Sequence, residues 1–192
     1  STKTALQRGV QYLIKLQEVD GSWEGEVVWC SMLPAQYVLM CHITQRPISS
    51  ERREAILQQF SSTRLASGLW GLHEKSEPYL FVTTLVYVAA RLLGVEKDDP
   101  LLTPALDFIQ AQGGVVGIPT WGKFWLAMLN LYDWQGVNPV LPEVWLLPSW
   151  LPIHPGNFYC HTRLIYMPMG FIYGCKFQAP LTPLIAQLRC EL

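Results

Sequence analysis

Two kinds of helical pattern alternate along this chain, and their order restricts the fold more than any single motif. Tyr79 to Leu93, YLFVTTLVYVAARLL, is apolar almost all round and ends at Gly94. A helix without a wet face has to be enclosed by other elements. Pro34 to Ile43, PAQYVLMCHI, is of the same kind, with proline suited to a first helical turn. Between the two, Ser50 to Thr63 sets Glu51, Arg52, Arg53 and Glu54 beside Ile56, Leu57 and Phe60. That is an amphipathic pattern, with Ser49 or Ser50 as its N-cap.

The alternation holds elsewhere. Leu6, Val10, Leu13 and Ile14 form one face of a first helix, opposite Lys3, Gln7, Gln11 and Lys15, which stops at the turn dipeptide Asp20-Gly21. Pro100 to Gln112 is amphipathic, Trp121 to Tyr132 mostly apolar, Phe158 to Tyr173 apolar and aromatic, and Pro180 to Leu192 amphipathic. Amphipathic helices near Lys3, Ser50 and Pro100 give a repeat of roughly fifty residues, one helix pair each. Stacked pairs bury a core that no single pair could bury. The expectation is an all-α, α/α-toroid fold over 1–192 as one domain, closed or covered by a partner. An open solenoid would need a polar concave face, and the inner helices carry too little polarity for one. The connection from Pro139 to Pro155 is long for a compact domain, and Trp145 and Trp150 are expected to pin it to the body.

A second periodicity lies at the ends of the amphipathic helices. QEVDGSW places Gln17, Gly21 and Trp23 in order; Gly68 and Trp70 return in SGLWG without a glutamine; Gln112 and Gly113 return in FIQAQGG without the tryptophan. A glutamine amide can stack on an indole while bonding to the unpaired backbone groups of a helix end. Three spaced copies favour such a clamp between outer helices over an ordinary staple and turn.

RGVQYLIKLQEVDGSW, Arg8 to Trp23, resembles the QW repeat of the class II triterpene cyclases, which include squalene–hopene and oxidosqualene (lanosterol-type) cyclases. The resemblance continues through SGLWGLH, FIQAQGG, PTWGKFWLAMLNLYDWQGVNPVLPEVWLLPSWLPIHP and YCHTRLIYMPMGFIYG to LIAQLRCEL, so it covers essentially the whole chain. It implies the N-terminal, non-protonating barrel of a two-barrel enzyme, packed against a C-terminal catalytic barrel in the same or a separate chain. WGKFW and the CHTR stretch are closer to the sterol type, whereas GEVVWCSMLPAQYVLMCHI is closer to the bacterial side, and both squalene and oxidosqualene stay open. The implied reaction needs neither metal nor organic cofactor. The implied location is cytoplasmic, peripheral on the membrane through the parent protein.

In that family a polyene folds in an apolar cavity, an Asp-rich DxDD motif supplies the proton, and aromatic faces stabilise passing carbocations. Each such cation–π contact is worth roughly 0.5–2 kcal/mol. DxDD is absent here, and Asp98-Asp99 in EKDDP reads as a solvated turn with capping duty. By the resemblance, Trp121 and His161 approach the cavity, with Tyr159 nearby. His161 could hold a hydroxyl or stabilise a late cation; the other reading is a buried histidine satisfied by a backbone carbonyl. The rival function is a stand-alone isoprenoid-binding or scaffold module that never catalyses.

Other chemistries find no support. Zinc, which toroidal prenyltransferases bind, would need a spaced ligand set, while Cys160 and His161 are adjacent and expected to diverge. Arg163 is expected to bond helix-end carbonyls or an acid such as Glu143. No GxSxG motif occurs, and five Cys without a CxxC favour reduced thiols. A formal net charge of −1 with no basic run argues against nucleic acid. STKTALQRGVQYL interleaves charge with apolar residues and is neither signal peptide nor span. Its lack of an initiating Met points to a segment of a longer or processed protein.

Overall fold

The computed structural model describes residues 2–23 and 30–192. Glu24 to Trp29, which include the start of the GEVVWCSMLPAQYVLMCHI stretch, lie outside the described residues. Among the described residues there are eight α-helices and no strand: α1 (Thr2–Lys15), α2 (Met32–Ile43), α3 (Ser50–Ser62), α4 (Leu80–Leu92), α5 (Thr103–Ala111), α6 (Thr120–Met128), α7 (Cys160–Cys175) and α8 (Pro183–Glu191). The all-α reading follows directly from these elements, and the inner–outer alternation holds from α2 to α6.

The apolar stretch of Tyr79 to Leu93 becomes the centre of the molecule. Every residue of α4 from Phe81 to Arg91 is buried, because α2 and α5 pack along it. Three amphipathic helices lie outside and each bury a pair of residues one helical turn apart or nearly so: Ile56 and Phe60 of α3, Ala105 and Ile109 of α5, Ile185 and Leu188 of α8. Full burial of a Leu or Ile side chain is worth about 1.5–3 kcal/mol relative to exposure. These pairs therefore suffice to seat the outer helices. Ser49 caps α3, its side chain accepting the Arg52 N–H at 3.3 Å.

Arg91 is the charge that the apolar pattern of α4 leaves unexplained. It is buried and grips Glu191, the last residue of α8, through Nε to Oε2 at 3.2 Å and Nη2 to Oε1 at 2.9 Å. Its Nη1 donates to the Val95 carbonyl at 2.8 Å, and the Tyr87 hydroxyl donates to Glu191 Oε2 at 2.7 Å. Partial burial opposes ionisation of Glu191, but the hydrogen bonds from Arg91 and Tyr87 outweigh it and hold the carboxyl below its ordinary pKa. Burial, with the Glu191 carboxylate beside it, pushes the Tyr87 phenol up. The network fastens α8 to α4 across the length of the sequence.

In the helix-end motifs the expected roles of glutamine and indole are exchanged. The indole, not the glutamine amide, bonds the helix end. Trp70 Nε1 donates to the Phe60 carbonyl at 2.8 Å and Trp23 Nε1 to the Leu13 carbonyl at 2.7 Å, each ten residues upstream. Both acceptors belong to the last turn of an outer helix, where carbonyls lack intrahelical partners. Gln17 closes its own turn instead, Nε2 donating to the Gly21 carbonyl at 2.8 Å. In the second copy Arg64 occupies the equivalent place, its Nε donating to the Gly68 carbonyl at 3.0 Å. The missing glutamine is thus replaced in function by an arginine.

Gly21, Gly68 and Gly113 all adopt left-handed φ, 87°, 83° and 81°, which side chains other than glycine seldom accept. Gln112 is exposed, and in that copy Gln110 bonds the end of α8 instead of its own turn, its Nε2 donating to the Glu191 carbonyl at 3.1 Å. The hydroxyl of Thr83 on α4 both accepts from the Trp70 N–H at 3.1 Å and donates to its carbonyl at 2.9 Å. The clamp therefore joins an outer helix end to an inner helix as well as closing its own turn.

Two expectations fail, and the first copy of the repeat is not enclosed. Trp23 is 54% exposed while Trp70 is 1% exposed, because no residue of α1 is buried. α7, expected to be enclosed, buries only Gly170. The segment at Pro142 lies against one side of its C-terminal half, close enough that a Cβ on Gly174 would stand 3.0 Å from Pro142 Cγ. Its N-terminal half stays open. Trp150 is 78% exposed and does not pin the proline-rich connection. That task falls to the 3-10 turn Pro142–Leu146 packed on α7, with Trp145 partly buried.

Candidate functional site

Helices α2, α6 and α7 converge on an apolar cleft of about 430 Å³. α2 contributes Met40, Ile43 and Thr44; α6 contributes Trp121, Phe124, Trp125 and Met128; α7 contributes Leu164, Ile165, Pro168, Met169 and Ile172. Each set follows the three- and four-residue spacing that places side chains on one helix face. The one hydroxyl in the lining, that of Thr44, donates to the Met40 carbonyl at 2.8 Å within its own helix. The cleft therefore offers an incoming molecule apolar and aromatic surface and few hydrogen bonds.

The rear of the cleft is stiffened by an aromatic cluster. Trp134 meets Phe124 edge-on at 5.0 Å between centroids and Tyr173 at 5.8 Å. Its Nε1 donates to the Phe177 carbonyl at 3.0 Å, so this indole too has its polar end satisfied, as buried tryptophans usually do. Asp133 caps the following turn through the Gln135 N–H at 2.8 Å.

Of the three cavity residues expected from the sequence, Trp121 lines this cleft and is 40% exposed at its edge. Tyr159 and His161 do not line it. They stand at the start of α7 and stack on each other, centroids 5.1 Å apart with planes 12° from parallel, and Tyr159 is 71% exposed. His161 is also exposed, so the buried-histidine alternative does not describe it. The side chains of Cys160 and His161 do not diverge: Sγ lies 3.2 Å from Nδ1. Among the described residues no group of three or more His, Cys, Asp or Glu could hold a metal ion. Arg163 donates to the Gly156 carbonyl at 3.3 Å rather than to Glu143. Asp99 is exposed, and its carboxylate takes the Leu101 N–H at 2.8 Å.

Met40, Ile43, Trp125, Met169 and Ile172 were not singled out from the sequence. A helix apolar on every side carries no mark of which apolar residue faces a cavity and which faces another helix. Trp134 was missed because one tryptophan after an aspartate has no periodicity to betray it.

Among the described residues no helix is long and apolar enough to cross a membrane. The sequence profile described as squalene-hopene cyclase N-terminal domain matches residues 6–191. The chain is 41% identical over 184 residues to the lanosterol synthase of Homo sapiens, covering 96% of this chain and 25% of that protein. It is 45% identical over 190 residues to the cycloartenol synthase of Dictyostelium discoideum, covering 98% and 27% respectively. Against the lanosterol synthase of Saccharomyces cerevisiae the identity is 40%, with 98% and 26% covered. The chain thus spans about a quarter of the length of the curated relatives it matches. With a match over nearly its whole length, an all-helical inner–outer architecture and an apolar cleft between α2, α6 and α7, the chain belongs to the family of squalene-hopene cyclase N-terminal domains, a part of the class II triterpene cyclases.

Proposed function

We propose that this chain, as a single domain over 1–192, supplies a hydrocarbon-facing wall to the cavity of a sterol-forming triterpene cyclase. The cleft between α2, α6 and α7 carries this reading, because among its twelve lining residues the one hydroxyl, that of Thr44, is bonded to the Met40 carbonyl and the rest are apolar or aromatic. A carbocation generated there lasts only where water and nucleophiles are excluded, and indole faces lower its energy without trapping it. Trp121 would present its face to the polyene, and Trp125 would back it. Tyr159 and His161, paired at the start of α7, would contact the substrate from a second side once the rest of the protein closes over α7. His161 would then hold a hydroxyl or stabilise late positive charge.

The proton must come from elsewhere, since the chain has no DxDD motif. A C-terminal catalytic barrel is the natural source, packed over the apolar faces of α1 and α7. The names of the relatives, lanosterol synthase and cycloartenol synthase, favour the sterol side and hence oxidosqualene over squalene. The domain would act in the cytoplasm, peripheral on a membrane through the complete protein.

The test is turnover of oxidosqualene and squalene by the full-length protein and by its Trp121→Phe and Trp121→Leu variants. A lost cation–π contact of about 0.5–2 kcal/mol corresponds to a roughly 2- to 30-fold fall in cyclisation. Trp121→Leu should show that fall together with incompletely cyclised products, and Trp121→Phe should retain most activity. A wild-type protein that binds both polyenes and converts neither would instead establish the isoprenoid-binding module.

A further inference from the structure

A second cleft, of about 710 Å³, opens at the opposite end of α7 from His161. The segments after α6 and after α7 and one turn of α8 enclose it, and its chemistry is the reverse of the apolar cleft. Lys176, Arg189, Gln135 and Gln178 line it beside Asp133. Both cations are held by neutral groups. Lys176 Nζ stands 3.0 Å from the Tyr173 ring centroid and 5.7 Å from that of Trp134. Arg189 donates through Nε to the Asn130 carbonyl at 2.6 Å and through Nη2 to Asn130 Oδ1.

Such anchors orient positive charge without cancelling it. Among the described residues neither cation lies within ion-pair distance of a carboxylate. The carboxylate in the lining, Asp133, is turned to the backbone, where it accepts the Gln135 N–H. Asn130, which holds Arg189, and Lys176 itself have left-handed φ, 64° and 49°, each just past the last turn of a helix. Helices commonly end on such a residue, so both backbones are set by the ends of α6 and α7. Asn130 is enforced from its far side, its Nδ2 donating to the Ala179 carbonyl at 3.2 Å.

We propose that this cleft binds a phosphate group. A guanidinium fork whose remaining N–H groups are not committed to an acid, a lysine ammonium and two carboxamides make up a donor set suited to phosphate oxygens. The volume leaves room for more than the phosphate itself. Two sources share this chemistry, a soluble phosphorylated molecule and a phospholipid headgroup. Neither has a part in the cyclisation assigned above, so the site is separate from that function.

The experiment uses the full-length protein in two formats: calorimetric titration with sodium pyrophosphate, and cosedimentation with phosphatidylcholine vesicles containing phosphatidylglycerol. Lys176→Asn removes one charge while suiting the left-handed backbone, Arg189→Gln removes the other, and Lys75→Gln is an exposed control of equal charge change. Binding should weaken as NaCl is raised. Lys176→Asn and Arg189→Gln should each weaken it at least tenfold, and Lys75→Gln less than twofold. Pyrophosphate binding that displaces vesicles identifies a soluble ligand; vesicle binding that needs both cations, with none to pyrophosphate, identifies the headgroup. Arg189→Gln also releases Asn130 and carries a folding cost, so Lys176→Asn decides. Equal binding by wild type and Lys176→Asn, or no binding in either format, overturns the proposal.

Discussion

Trp23 and Trp70 make the same hydrogen bond in two copies of one repeat and differ in burial, so replacing each by phenylalanine isolates what burial adds. In Trp70→Phe the Phe60 carbonyl loses its indole partner inside the core. Leaving a buried acceptor unpaired costs about 1–3 kcal/mol. The lost part of the ring system, on the order of 40 Å² of apolar surface, adds about 1 kcal/mol. The sum is about 2–4 kcal/mol. In Trp23→Phe the Leu13 carbonyl keeps the Leu16 N–H at 3.1 Å and is open to water, so the cost stays below about 0.5 kcal/mol. With a urea dependence of about 2 kcal/mol per molar, Trp70→Phe should lower the unfolding midpoint by about 1–2 M and Trp23→Phe by a few tenths at most. Near-equal shifts would refute the argument, because they would mean that the bond itself, not the burial of its acceptor, sets the energy.

Three further outcomes follow from the geometry. Arg91→Met should cost about 3–5 kcal/mol by stranding Glu191, and adding Glu191→Leu should recover most of it; a double variant no more stable than Arg91→Met would show that the pair is not energetically coupled. Ala at Gly68 meets Arg64 Nη2 at 2.9 Å and Pro104 Cβ at 3.1 Å, whereas Ala at Gly113 meets nothing within 4 Å. Both substitutions carry the left-handed backbone cost of roughly 1–2 kcal/mol, so Gly68→Ala should unfold at lower urea than Gly113→Ala, and the reverse order would contradict the contacts. Burial lowers the pKa of His42 below 6.5 in the fold, so the stability it contributes is present above pH 6.5 and is lost as pH falls from there to the folded value. Glu191 acts in the same sense at lower pH: its contribution is complete above about 4.5, the ordinary value, and is lost as pH falls through the depressed folded one. Urea midpoints at pH 7.5, 5.5 and 3.5 should therefore drop in two steps, with His42→Gln abolishing the first; a flat profile between 7.5 and 5.5 would refute the His42 assignment.

The order of helices and the left-handed glycines at 21, 68 and 113 were legible because they depend on local chemistry: periodicity of apolar residues and the φ that only glycine accepts freely. Family membership was legible for the same reason, since its motifs are contiguous in sequence. The residues that form the cavity were not. Met40, Trp125 and Ile172 face the apolar cleft only because α2, α6 and α7 meet there, and a helix apolar all round gives no local sign of which side that is. The partner of Arg91 lies a hundred residues away at Glu191, and Arg64 could be recognised in the place of a glutamine only once its bond to the Gly68 carbonyl was seen. Local sequence sets what each segment becomes because backbone preference and amphipathicity act over a few residues. Which side chains share a cavity, an ion pair or a clamp depends on the docking of whole helices, whose energy is summed over contacts far apart in the chain, so only the tertiary structure decides it.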